Sequence, residues 1–156
     1  MEKGAGRIPA RTLLYKIVLT IKSKTHIHKT QIKHRIQKME NINKYRDLEE
    51  RTARFAENVR DFVKKLPKTI AHIEYGKQLI RSSGSQAANY IEANEALSKK
   101  DFTHRIRICR KETKESCLWI RLCKTEDIHL QKEGNKLNQE AEELRKIFSA
   151  ILVKST

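Results

Sequence analysis

From Tyr45 to Leu66 the apolar residues Leu48, Phe55, Val59, Phe62, Val63 and Leu66 recur at steps of three and four, with Thr52 filling one step. That spacing lines them along one face of a helix and differs from the strict alternation of a half-buried strand. A stripe of this length needs other helices to cover it. Leu66-Pro67 closes the helix, because a residue before proline is pushed away from helical dihedrals.

The rest of the chain offers the partners. A second helix is expected from about Thr69 to Leu97, with Ile73, Gly76, Ile80, Ser83, Ala87, Ile91 and Asn94 as its inward stripe. Its centre, Ser82-Ser83-Gly84-Ser85-Gln86-Ala87-Ala88, is poor in both helix propensity and apolar area. Small residues let a neighbouring backbone come close, so tight helix contact is expected here, within the bundle or between subunits. Ser98-Lys99-Lys100-Asp101 fits a capping box that starts a third helix. Phe102, Ile106, Cys109, Thr113, Cys117 and Ile120 form its stripe, and it is expected to end near Asp127 to Gln131. A fourth helix should follow Gly134, carrying Leu137, Ala141, Leu144, Ile147, Phe148, Ile151 and Leu152. With only 5 Gly and 2 Pro in 156 residues, the chain lacks the turn chemistry that many short strands demand. The expected fold is all-α: an antiparallel up-and-down four-helix bundle over residues 44–154, preceded by a basic, poorly structured extension over residues 1–43.

The formal net charge of +15 would favour polyanions, but it is unevenly placed. Residues 1–38 hold ten Lys/Arg against Glu2 alone, which is +9 and leaves +6 for residues 39–156. In the extension, Leu14, Ile17, Leu19 and Ile21 precede a basic run from Lys22 to Lys38 that offers no sustained stripe for docking. Two readings stay open at this point: a flexible basic arm, or a biological start at Met39, where the composition changes. The apolar run Leu13–Ile21 is too short to span a bilayer and lacks a signal-peptide cleavage pattern, so we expect a soluble, cytoplasmic protein with no membrane partner. The three cysteines, Cys109, Cys117 and Cys123, share one helix and are read as reduced and buried.

Catalytic chemistry finds little footing, and no enzyme is expected. The C-x7-C-x5-C spacing suits no structural zinc site, the Glu-x-x-His pattern of di-iron bundles is missing, and His26, His28 and His34 fall short of a designed metal cluster. No GxxxxGK[ST] or GxGxxG phosphate loop occurs, so no cofactor is expected. Ser82, Ser83 and Ser85 have no strained turn or oriented base beside them and read as packing residues. One surface feature remains. Arg107, Arg110, Lys111, Lys114 and Arg121 fall within an arc of roughly 100° on the third helix. They form either an ordinary solvated face, partly neutralised by Glu112 and Glu115, or a surface that tracks phosphates in RNA or DNA with high salt sensitivity and little sequence preference.

Tyr45-Arg46-Asp47-Leu48-Glu49, the run Gln78-Leu79-Ile80-Arg81-Ser82-Ser83-Gly84-Ser85-Gln86-Ala87-Ala88-Asn89-Tyr90-Ile91-Glu92-Ala93, and Lys100-Asp101-Phe102 together resemble the bacterial four-helix-bundle proteins encoded in intervening sequences of 23S rRNA genes. The resemblance covers about residues 42–153. It implies a short up-and-down bundle assembling as a homopentamer, without known enzymatic activity. A related group, the accessory variability proteins of diversity-generating retroelements, pairs with a reverse transcriptase and binds nucleic acid, so by analogy a reverse transcriptase becomes an expected class of partner. Arg81, Ser82, Ser85, Asn89, Glu92 and Asp101 match the family's polar signature, whose role there is structural. Members typically begin close to the position of Met39, which favours a start there.

Overall fold

The computed structural model describes residues 47–155 together with Lys29, Ile32 and Lys33. The chain divides into two units, Met1–Lys44 and Tyr45–Thr156. In the first, the three described residues are helical and exposed. The other expectations for the extension, including His26, His28, His34 and the start at Met39, lie outside the described residues.

The second unit is an all-α bundle, and among its described residues there is no strand. Helix α1 covers residues 47–65, α2 Ile70–Asn94, α3 Lys99–Leu122 and α4 Ile128–Ser155. Each of the last three starts where a side-chain oxygen takes up an otherwise unpaired amide of the first turn. Thr69 Oγ1 accepts from His72 N at 3.2 Å, and Ser98 Oγ accepts from Asp101 N at 3.1 Å. Asp127 Oδ1 accepts from His129 N at 2.7 Å and Leu130 N at 3.1 Å, which holds its carboxyl below the usual carboxylate range.

That last cap corrects two expected boundaries. Helix α3 stops at Leu122, with Cys123 as its C-cap, rather than near Asp127 to Gln131. Helix α4 begins at Ile128 rather than after Gly134, because the Asp127 carboxylate nucleates it about two turns earlier. Gly134 is an interior helical residue, buried where a Cβ would lie 3.4 Å from Phe62 Cζ. Similarly, α2 ends at Asn94, and Leu97, expected as its last residue, is fully exposed.

Cross-helix pairs fix the topology. Glu49 meets Asn94 while Val63 meets Gly76, so α1 and α2 run antiparallel. Ser82 meets Ser116 while Asn89 meets Arg105, and Arg51 meets Glu140 while Lys65 meets Glu133, giving the same sense to α2–α3 and α1–α4. The four helices therefore close into an up-down-up-down bundle. At Gly76 the α1–α2 approach is so close that a Cβ would fall 2.8 Å from Val63 Cγ1, a site where only glycine fits without displacing the valine.

The core is built on Phe55, Val59 and Phe62 of α1, Leu79 and Tyr90 of α2, Ile106 and Ile120 of α3, and Leu144 and Phe148 of α4. Tyr90 and Phe148 rings pack at 5.8 Å with a 49° tilt. All three cysteines are buried; burial pushes the Cys109 thiol up to about 12 and those of Cys117 and Cys123 to about 11.

The inward face of α2 differs from the expected stripe. Gly76, Ser83 and Ala87 are buried as expected, but Ile73, Ile80 and Ile91 are 42%, 45% and 46% exposed. Leu79, Ser82, Gln86, Tyr90 and Ala93 take the interior instead, which turns the helix by roughly 80° from the expected face at 100° per residue. The isoleucines misdirect a hydrophobicity pattern here, because part of the true inner face is polar.

Candidate functional site

Arg107, Arg110, Lys111, Lys114 and Arg121 are all exposed on one side of α3, bordering the face that buries Ile106, Cys109, Thr113 and Ile120. Among the described residues only Lys111 is paired, with Glu115 at 3.7 Å. Among the described residues no carboxylate pairs with Arg107, Arg110, Lys114 or Arg121. Glu112, expected to share in neutralising the stripe, is half-buried, and desolvation raises its carboxyl above the ordinary range. From residue 107 to 121 the helix rises roughly 21 Å, with one cation per turn except where Leu118, 45% exposed, takes the place. Unpaired guanidinium and ammonium groups in a row form a surface that can neutralise successive phosphates.

The polar signature lies elsewhere, along α2 and the start of α3, and half of it points at a residue that the sequence did not single out. Arg105 forms an ion pair with Glu92, donates to Asn89 Oδ1 at 3.4 Å, and stands 3.7 Å from Asp101 Oδ1. Asn89 in turn donates to Ser85 O at 2.9 Å. Asp101, expected to bond back to the start of its helix, is engaged by Arg105 instead, so only the Ser98 half of the capping box forms. Arg81 is exposed and joins none of these contacts. The clue was present as spacing: Asp101 and Arg105 stand four apart, the separation that joins opposite charges on one helix face.

Deeper in the same seam lies a buried polar layer. The Ser82 and Ser116 hydroxyl oxygens are 2.8 Å apart, and both serines also reach main-chain carbonyls, of Leu79 and Glu112 respectively. Thr113 Oγ1 lies 2.5 Å from Gln86 Oε1 and 2.7 Å from Cys109 O. A hydroxyl has one hydrogen, so both oxygens cannot receive it. Turning the Gln86 amide over resolves the conflict and also employs Nε2, which otherwise has no partner: Nε2 donates to Thr113, and Thr113 donates to Cys109. Neither this layer nor the Arg105 cluster resembles a catalytic constellation, because both are consumed in tying α2 to α3. The small residues of α2 are thus divided. Ser82, Ser83 and Ala87 face inward, while Gly84 is exposed with nothing within 4 Å of an added Cβ. The tight contact expected at Gly84 is not made within the bundle.

Among the described residues no group of three His, Cys, Asp or Glu side chains could hold a metal ion, and no helix is long and apolar enough to cross a membrane. A family model described as 23S rRNA-intervening sequence protein matches residues 46–150. The fold is similar to that of a crystallised protein of unknown function from the S23 ribosomal protein family of Bacteroides thetaiotaomicron. That protein is 24% identical, with a TM-score of 0.57 over 67% of this chain and 96% of its own. Comparison with curated proteins finds no match.

Proposed function

The chain belongs to the 23S rRNA-intervening sequence protein family, and on that premise we propose that it is a non-catalytic, cytoplasmic, homo-oligomeric bundle that contacts RNA or DNA through the outer face of α3. The observation that carries this reading is the row of four exposed cations, Arg107, Arg110, Lys114 and Arg121, that no described carboxylate neutralises. Arg51, Lys65 and Arg145 elsewhere on the bundle have acidic partners, and what sets the α3 cations apart from other unpaired surface cations is that they share one helix face. Unpaired cations on one helix face suit a polyanion bound through its backbone, with little base discrimination.

Fluorescence anisotropy of a structured RNA against the full chain tests this. Affinity should fall steeply as salt rises, and Arg107→Glu with Lys114→Glu should weaken binding at least tenfold with the fold retained by circular dichroism. Absence of binding at low salt, or equal binding by the double variant, would sink the proposal.

A second reading is favoured by a different surface. Ile73, Ile80 and Ile91 stand exposed on α2 with the open Gly84 between them, an apolar row suited to another protein surface. In this reading the chain is an adaptor that assembles with itself, as a pentamer if the expectation from the resemblance holds, or with a partner such as a reverse transcriptase, and nucleic-acid contact is incidental. Gly84→Leu should then lower the mass measured by light scattering, and an unchanged mass would count against it.

A further inference from the structure

A cavity of about 440 Å³ opens where the end of α3, the loop after it and the first turns of α4 meet α1, and Arg121, the last cation of the α3 row, forms part of its wall. The volume is in the range of about 300 to 1,000 Å³ that small-molecule sites occupy. Phe62, Ile120, Cys123 and Leu130 supply apolar lining, and Gly134 keeps the α4 side of it open.

The charged part of the lining is of one sign. Arg121 and Lys124 bring positive charge, Thr125, Gln131, Asn135 and Asn138 bring neutral hydrogen-bonding groups, and no described lining residue is acidic. Neither Arg121 nor Lys124 pairs with a described carboxylate. Asn138 Oδ1 is enclosed at the wall with no hydrogen-bond partner, an unmet acceptor that a donor could satisfy once the amide turns toward the cavity.

The loop is also held in place by the chain's own hydrogen bonds. His72 Nε2 lies 3.2 Å from Lys124 O, Gln131 Nε2 donates to Thr125 O at 2.7 Å, and Thr125 Oγ1 accepts from Asp127 N at 3.3 Å. A preformed wall spares a ligand part of the ordering entropy of binding.

We propose that this cavity binds a nucleoside monophosphate unit, free or at the phosphorylated end of a strand, with the base in the cavity and the phosphate at Arg121 and Lys124. An apolar chamber with neutral amides matches a planar heterocycle bearing donors and acceptors, and two free cations at one site match a phosphate dianion. The inference rests on the nucleic-acid reading of α3 and extends it, because the phosphate-tracking row ends at this opening.

Isothermal titration calorimetry of the full chain with AMP is the direct test. AMP should bind saturably, at least tenfold more tightly than either adenosine or inorganic phosphate. Asn135→Trp, at an exposed position of the rim, should obstruct the cavity, and Lys124→Glu should repel the phosphate; each should weaken AMP at least tenfold with helicity retained. An RNA strand with a 5′-phosphate should outcompete its 5′-hydroxyl counterpart if strand ends are the source, whereas equal competition would assign the site to free nucleotides. No saturable AMP binding, phosphate binding as tight as AMP, or indifference to Asn135→Trp would each overturn the assignment. Arg107→Glu with Lys114→Glu should weaken polymer binding at least tenfold and leave AMP binding intact, so a failure of the α3 row and a failure of the cavity are separately visible.

Discussion

Two seams of the bundle are bonded in opposite ways. Between α2 and α3, Ser82, Gln86, Thr113 and Ser116 meet out of reach of solvent, each at most 2% exposed. Between α1 and α4, Arg51 reaches Glu140 and Glu143, and Lys65 reaches Glu133, all at a surface that water and salt can enter. The pairing raises the Arg51 guanidinium above its usual range, chiefly through the hydrogen bonds it donates to Glu140. Removing a partner from the inner layer strands a group that has no water to turn to, whereas removing one from the rim returns the other to solvent. The short neutral contacts should therefore govern α2–α3 alignment, and the ion pairs should contribute less than their distances suggest.

Thr113→Val puts the contrast under the most strain. It deletes the hydroxyl between Gln86 and Cys109 and should cost about 1–3 kcal/mol in urea denaturation, with little dependence on salt. Adding Gln86→Leu should recover part of that loss, since an apolar pair leaves nothing unsatisfied; a double variant weaker than the single one would mean that packing, not hydrogen bonding, dominates the layer. Arg105→Gln should cost less, about 1 kcal/mol, because its partners Glu92 and Asp101 remain in partial contact with water. Arg51→Gln should cost about 0.2–1 kcal/mol at low salt and almost nothing at high salt, and a salt-independent loss would erase the distinction between the seams.

The smallest effect is electrostatic and local to α1. Hydrogen bonds from Arg60 and Lys64 hold the exposed Asp61 carboxyl at about 2 instead of 3.8. A carboxylate lowered on folding stabilises the native state above its ordinary value and loses that contribution as pH falls toward the lowered one. Stability measured between pH 5 and pH 2 should consequently fall slightly less steeply for Asp61→Asn than for the natural chain.

The sequence revealed most where apolar spacing and packing agree. Phe55, Val59 and Phe62 on α1, and Leu137, Ala141, Leu144 and Phe148 on α4, were expected inside and are buried. It misled where polarity and burial part company, since Gln86 and Ser82 are interior while Ile73, Ile80 and Ile91 are exposed. No pattern based on hydrophobicity assigns a glutamine to a core, because its partners Thr113 and Cys109 lie on another helix, 27 and 23 residues away. Gly134 misled for a related reason: glycine usually signals a break, yet here the missing side chain makes room for Phe62. The cations of α3 could be placed on one face from spacing alone, but whether acidic neighbours neutralise them depends on rotamers that spacing does not determine. Arg105 escaped notice because a lone arginine shows its role only when two helices meet.

The buried cysteines have a practical corollary for any such experiment. A nucleophilic sulfur must first lose its proton, and at neutral pH burial keeps that proton on Cys109 and Cys117 between packed helices and on Cys123 in the cavity wall. The natural chain is therefore nearly blind to maleimides and iodoacetamide while folded. One cysteine introduced on the surface would take a fluorophore or spin label almost alone, and the three native thiols could stay in place as an internal indicator that modifies only when the bundle opens.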